Sequence, residues 1–240
     1  MAEGSGRFPW LLTIACAGAI VLLCGLGSWQ VQRMQWKNGL IAKSEAAAKL
    51  PVAPLAEAFP QEFRRVSVSC RGLASAPFVE VRSISEGAPG VRLISACHAE
   101  KFAFPILIDR GFVADTISAR PPVVPTDAET SIEGQLREIP SGGLMTPGPD
   151  GRTFYALDPQ PMGRLLGEAS VIPPLVIYAT TSSNPDWPAL QPSAPPAAFS
   201  NNHLGYALTW FGLALAVVGF YIALLRRKPA GSPAETKDAP

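Results

Sequence analysis

The chain has 240 residues, 48% apolar and only 16% charged, with a formal net charge of +1. A mean hydropathy of +0.19 with so little charge argues against a nucleic-acid partner and for contact with lipid. Its four cysteines and two histidines form no CxxC and no Cys/His cluster, which excludes a structural zinc site of the usual kind.

Residues 1–8, with Arg7, form a short N-terminus expected in the cytoplasm. Residues 9–28 carry no charge, and as a helix they reach roughly 30 Å, enough to cross a bilayer. A cleavable signal peptide is the competing reading. The run is too long for the apolar part of one, and its end reads Gly25-Leu26-Gly27-Ser28-Trp29 instead of an A-x-A-like cleavage site, so an uncleaved transmembrane helix is expected. Cys16 and Cys24 lie inside this run as small hydrophobes. Cys70 and Cys97 are left for the rest of the chain, paired or free.

Beyond the span the pattern stays helical. Trp29, Arg33, Trp36 and Leu40 recur at helical spacing, which predicts an interfacial extension over residues 29–48 with its tryptophans at headgroup level. Pro51, Pro54 and Pro60 then break the helix and open the middle domain, residues 49–200, expected to be β-rich and periplasmic. Strands are predicted over residues 65–70, 78–84, 91–96, 105–113, 132–137 and 175–179. Turns are expected at Gly87-Ala88-Pro89-Gly90 and Ser141-Gly142-Gly143, and a loop over residues 120–125. A short helix is expected over residues 158–166, with Asp158 capping and Pro159 in the first position.

Within this domain Asp109 and Arg110 end an apolar strand before Gly111. They read either as a strand-end ion pair or turn cap, or as a contact for a partner. His98 reads as an exposed polar side chain. The sequence carries no nucleophile elbow, no phosphate loop and no paired carboxylates in a recognisable motif, so no catalytic residue is expected.

A loop of proline and small residues over 184–200 returns the chain to the membrane. Residues 204–225 are again uncharged and span roughly 33 Å, and the second transmembrane helix is placed at residues 201–225. Residues 226–240 form a tail opening with Arg226-Arg227-Lys228, a triple that puts it in the cytoplasm and so puts both termini inside. Arg33, Lys37 and Lys43 bias the first helix the other way, but the C-terminal triple is uncompensated. The predicted fold class is thus a membrane protein in which two transmembrane helices flank a mainly antiparallel β (α+β) extracytoplasmic domain.

At the mouth of the second helix, His203, Tyr206 and Trp210 share a face, while Gly205, Gly212 and Gly219 repeat every seventh residue on nearly the opposite one. The glycine stripe, with Ala216 beside it, is expected to pack on Ala15, Gly18, Ala19 or Gly25 of the first helix and to leave the histidine face free. A neutral imidazole there is a ready axial ligand for haem iron and equally a partner for a loop carbonyl.

Four stretches resemble the Surfeit-locus-1 family, the cytochrome c oxidase assembly proteins: GSWQVQRMQWKNGLI (27–41), RRVSV (64–68), IDRGFV (108–113) and NNHLGYALTWFGL (201–213). They fall in order along most of the chain. The resemblance implies a non-enzymatic assembly factor for haem-copper oxidase that helps deliver haem a to the catalytic subunit or stabilises that subunit. It implies as partners the catalytic subunit, the haem a synthesis machinery and the lipid bilayer, with no nucleic acid, and haem a as a cofactor held transiently. Carried over by position, the cofactor-binding candidates are His203, Tyr206, Trp210, Arg33, Trp29 and Trp36. The partner-contact candidates are Gln30, Asp109, Arg110, Gly111, Asn201 and Asn202, and no metal ligand is expected. For a bacterial chain the location is the inner membrane with the domain in the periplasm. The competing readings are an accessory structural subunit of the respiratory complex and an enzyme with an unrecognised site in the external domain.

Overall fold

The computed structural model describes residues 10–140, 143, 146–193 and 201–226. The expectations for the N-terminus, for the tail with Arg227 and Lys228, for the turn at Ser141-Gly142 and for the end of the return loop fall outside these residues. The chain divides into two compact units, Met1–Gly39 with Ser200–Pro240, and Leu40–Phe199.

The first unit is built on α1 (Trp10–Ala48), which continues unbroken past Gly39, and α4 (His203–Arg226). Both are long and apolar enough to cross a membrane by length and composition. Thr13, Cys16, Ile20, Leu23, Gly27 and Gln30 of α1 are shielded while most of their neighbours are exposed. On α4 the same holds for His203, Ala207, Trp210, Ala214, Val217 and Tyr221. The alternating steps of three and four are those of a helix seam with knobs-into-holes packing. Thr13 Oγ1 and the Tyr221 hydroxyl bond at 2.7 Å near one end, and His203 meets Gln30 near the other, so the helices run antiparallel.

This seam reverses the expected one. A Cβ added at Gly205, Gly212 or Gly219, or at Gly18 or Gly25, would meet nothing within 4 Å. The close approach is instead at Gly27, where a Cβ would stand 2.7 Å from the Phe211 ring, and at the buried Ala207 and Ala214. The glycine stripe has the same seven-residue period as the true seam, so period alone does not tell which stripe packs; the ring of Phe211 and the polar pairs at both ends do.

The second unit holds β1 (Ala53–Pro54), α2 (Leu55–Ala58), β2 (Arg65–Arg71), a 3-10 turn (Leu73–Ser75), β3 (Val79–Ser85), β4 (Ala88–Cys97), β5 (Ile106–Ala114), β6 (Glu129–Glu138), β7 (Thr153–Phe154), α3 (Pro159–Leu166) and β8 (Leu175–Ala179). They form an eight-stranded sheet in the order β1-β2-β6-β8-β5-β4-β3-β7. It is mixed: the long ladders β2·β6, β3·β4, β4·β5 and β6·β8 are antiparallel as expected, while β1·β2, β3·β7 and β5·β8 pair parallel. β2 and β6 alternate buried and exposed positions, the mark of a sheet covered on one face. β5 is buried along nearly its whole length, and β8 fills the gap between it and β6. Ile106 and Ile108 of β5 enter one core with Val66, Val68 and Ile177, while Leu107 enters a second with Val79, Val176 and Met162 of α3.

Cys70 and Cys97 are joined as a disulfide with their Cα atoms 5.5 Å apart. They sit on β2 and β4, which have β6, β8 and β5 between them in the sheet, and Cys70 also bridges Ala99. The sheet therefore curls until its strands nearly close on themselves. The turn expected at residues 87–90 lies earlier: Ser85 pairs with Ala88, and Glu86 and Gly87 make a two-residue hairpin loop with φ of 51° and 82°. Pro159 does open α3, but Asp158 at its N-cap makes no side-chain cap bond.

Candidate functional site

The helix pair gathers its polar side chains where α4 begins. His203 Nδ1 lies 2.6 Å from Gln30 Oε1. One turn further along α1, Asn201 Nδ2 donates to the Met34 carbonyl at 3.2 Å and to Asn38 Oδ1 at 2.8 Å. Helical spacing brings Gln30, Met34 and Asn38 to one side of α1, and an antiparallel partner presents Asn201 and His203 to that side. Gln30 and Asn201, expected as contacts for a partner, thus bond across the helix pair, and His203 belongs to the seam and not to a free face. Asn202 is exposed.

Trp29, Arg33 and Trp36 follow on the flank of α1 beside the seam. Trp29 is 55% exposed and Trp36 50%, and the Arg33 guanidinium stacks 3.8 Å above the Trp36 ring. Tyr206 is 59% exposed, whereas Trp210 is partly covered. By helical rotation in an antiparallel pair, Tyr206 lies to the same side of the seam as Arg33, near the level of Trp29. Of the six expected cofactor residues, therefore, Trp29, Arg33, Trp36 and Tyr206 present exposed aromatic and cationic groups, and His203 and Trp210 border them from the seam.

Asp109, Arg110 and Gly111 are placed inside the second unit. Asp109 is ion-paired not with its neighbour Arg110 but with Arg92 Nε on β4, and its Oδ1 accepts from the Gly111 amide at 3.1 Å. Arg92 also donates to the Ser193 hydroxyl (2.8 Å) and carbonyl (3.1 Å). Burial dominates the Asp109 carboxyl and pushes its pKa up to about 6, against the pull of Arg92 and the Gly111 amide. The neighbouring Tyr178 hydroxyl is raised by burial and by that carboxylate.

Arg110 is wholly buried, donating to Ser183 Oγ at 3.1 Å and to the Ala74 carbonyl at 2.7 Å, and burial lowers it to about 10. Gly111 has φ of 137°, and a Cβ there would stand 2.4 Å from the Gln191 carbonyl. The three residues tie β5 to the 3-10 turn and to the return segment at 191–193.

Sequence reasoning missed Arg92, Ser183 and Ser193. Arg92 carried a signal, a lone cation inside the apolar run Val91-Arg92-Leu93, which in a buried strand demands a counter-ion. His98 pairs with Glu168 at 3.0 Å on the surface. Among the described residues no group of three or more His, Cys, Asp or Glu is placed to hold a metal ion.

Fold and site together define a class: two long apolar helices bracketing a mixed-sheet domain, with a histidine, amides and exposed aromatics at the mouth of the helix pair. The model of the SURF1 family matches residues 17–215, and the chain belongs to that family. Surfeit locus protein 1 of Mus musculus is 26% identical over 95% of this chain and 79% of its own length. A SURF1-like protein of Monosiga brevicollis is 28% identical over 94% of this chain and 90% of itself, and one of Rickettsia conorii is 26% identical over 86% and 88%.

Proposed function

We propose that this chain is a membrane-anchored, non-enzymatic assembly factor for a haem-copper cytochrome c oxidase, which assists delivery of haem a to the catalytic subunit or steadies that subunit while it is loaded. On this reading α1 crosses the membrane over residues 9–28, residues 29–48 extend it at the interface, α4 returns, and the β domain lies in the periplasm. Family membership supports the general role. The observation that carries the haem-facing part is the constellation at the helix mouth: an imidazole, a guanidinium and exposed aromatic rings at one end of two apolar helices.

The donor set fits a haem. His203 Nε2 has no hydrogen-bond partner among the described residues and is a suitable axial nitrogen, and Arg33 offers paired donors to a propionate carboxylate. Trp29, Trp36 and Tyr206 offer flat apolar surface for the macrocycle edge. When bound, the haem itself is cargo for the oxidase and supplies no chemistry to this chain.

The test is deletion of the gene followed by the reduced haem a spectrum of the membranes, with complementation by wild type and by Arg33→Ala. Deletion should weaken the haem a band severalfold. Arg33→Ala, which removes an exposed side chain, should accumulate normally and restore the band only in part. A deletion strain with an unchanged haem a band sinks the proposal.

A further inference from the structure

We propose that Gln30 is a positioning residue for His203: by accepting the Nδ1 proton it holds the imidazole in the Nδ1–H tautomer, which leaves the Nε2 lone pair as the nitrogen presented to an iron porphyrin. The inference rests on the haem-facing reading above and deepens it.

The argument begins with the chemistry of the 2.6 Å contact. An amide oxygen accepts and cannot donate, so at Gln30 Oε1 the imidazole nitrogen must be the donor. A neutral imidazole carries a single N–H, and fixing it at Nδ1 leaves Nε2 unprotonated. In water the free side chain prefers the opposite tautomer, with Nε2 protonated and useless as a ligand. Gln30 therefore selects the form that iron can use, as the outer partners of metal-bound histidines commonly do.

The selection requires a rigid acceptor, and the helix pair supplies one. Gln30 lies within the seam, partly covered, and the register about it is fixed on both sides. On one side Gly27 admits the Phe211 ring. On the other Asn201 bonds the Met34 carbonyl and Asn38. Among the described residues none bonds Nε2, while the exposed rings and guanidinium at this end of the helix pair are Trp29, Tyr206 and the stacked Arg33–Trp36 pair.

The chain has only two histidines, so a His98→Gln background leaves His203 as the single imidazole. Full-length protein labelled with 15N-histidine, in lipid nanodiscs at alkaline pH, reports which ring nitrogen bears the proton. The expected spectrum has Nδ1 pyrrole-like and Nε2 pyridine-like, with reversal in Gln30→Leu. Hemin titration of the same samples should show affinity about 10- to 100-fold lower for Gln30→Leu and near-wild-type affinity for Gln30→Glu, which restores an acceptor. A protonated Nε2 in the wild-type spectrum overturns the inference. So does hemin affinity unchanged by Gln30→Leu but lost in His203→Ala, a result that would leave His203 as ligand. Affinity unchanged by both substitutions overturns the haem-facing reading itself and the positioning role with it.

Discussion

Asp109 shows how one residue type serves opposite ends depending on what surrounds it. Its carboxyl is buried, and the cost of desolvating the charged form outweighs the attraction of Arg92, so its pKa is pushed up to about 6. In the unfolded chain the same group titrates near about 4. Between these values the native state holds a proton that the unfolded state has released. Stability contributed by this group is therefore greatest below about pH 4, falls as pH rises towards 6, and is level above. Asp109→Asn cannot ionise. In denaturation of the full chain in detergent, the variant should gain on wild type by up to about 3 kcal/mol between pH 4 and pH 7. A difference between the two that does not change with pH would mean that Arg92 compensates burial fully.

The same residues mark the limit of what a sequence conveys at this scale. Asp109, Arg110 and Gly111 were legible as special, because charges at the end of an apolar run need a reason. Their partners were not legible. Arg92 reaches Asp109 across a ladder that slips at a bulge between Arg92 and Ile94, and Ser183, Gln191 and Ser193 arrive from a loop far along the chain. Gly111 does not follow the end of the strand but lies inside β5, at the place where another backbone comes too close for any Cβ.

At the scale of elements, the long strands were readable because alternation in β2 and β6 and continuous apolar character in β5 each have one physical cause, coverage of one face or of both. The two-residue strands β1 and β7 are too short to carry any period, and the insertion of β8 between β6 and β5, antiparallel to the one and parallel to the other, is a matter of long-range topology. The helix seam is the instructive failure. Two stripes with the same seven-residue spacing run along α4, and small size alone favours the glycines. What decides is the set of side chains able to meet α1: Phe211 over Gly27, Tyr221 on Thr13 and His203 on Gln30. Gly27→Val should therefore force the Phe211 ring out, cost on the order of 1–3 kcal/mol and lower the amount of protein in the membrane. Gly212→Val, pointing into open space, should leave that amount unchanged. Quantitative immunoblots of the two variants compare them directly, and equal loss in both would restore the glycine stripe as the packing face.

At the scale of the whole molecule the question is which side of a membrane each part occupies. α1 and α4 are antiparallel, since Thr13 meets Tyr221 and Gln30 meets His203, so the Trp10 end of one and the Arg226 end of the other lie on the same side of the helix pair. The charges of Arg226-Arg227-Lys228 favour the cytoplasm for that side. An independent argument comes from sulfur. Cys70 and Cys97 are joined in a disulfide that links β2 to β4, and such bonds persist in oxidising compartments and are rare in the reducing cytosol. Charge and redox chemistry thus both support the proposed topology, with the sheet outside and both helix ends inside. A reporter active only in the cytoplasm should work when fused after Lys228 and fail when fused after Pro125. Both cysteines are buried, so in protein taken from cells directly into denaturant Cys70 and Cys97 should resist a maleimide until a reductant is added and then react. Reporter activity at Pro125, or maleimide labelling of these two cysteines in denaturant without a reductant, would overturn the proposed topology.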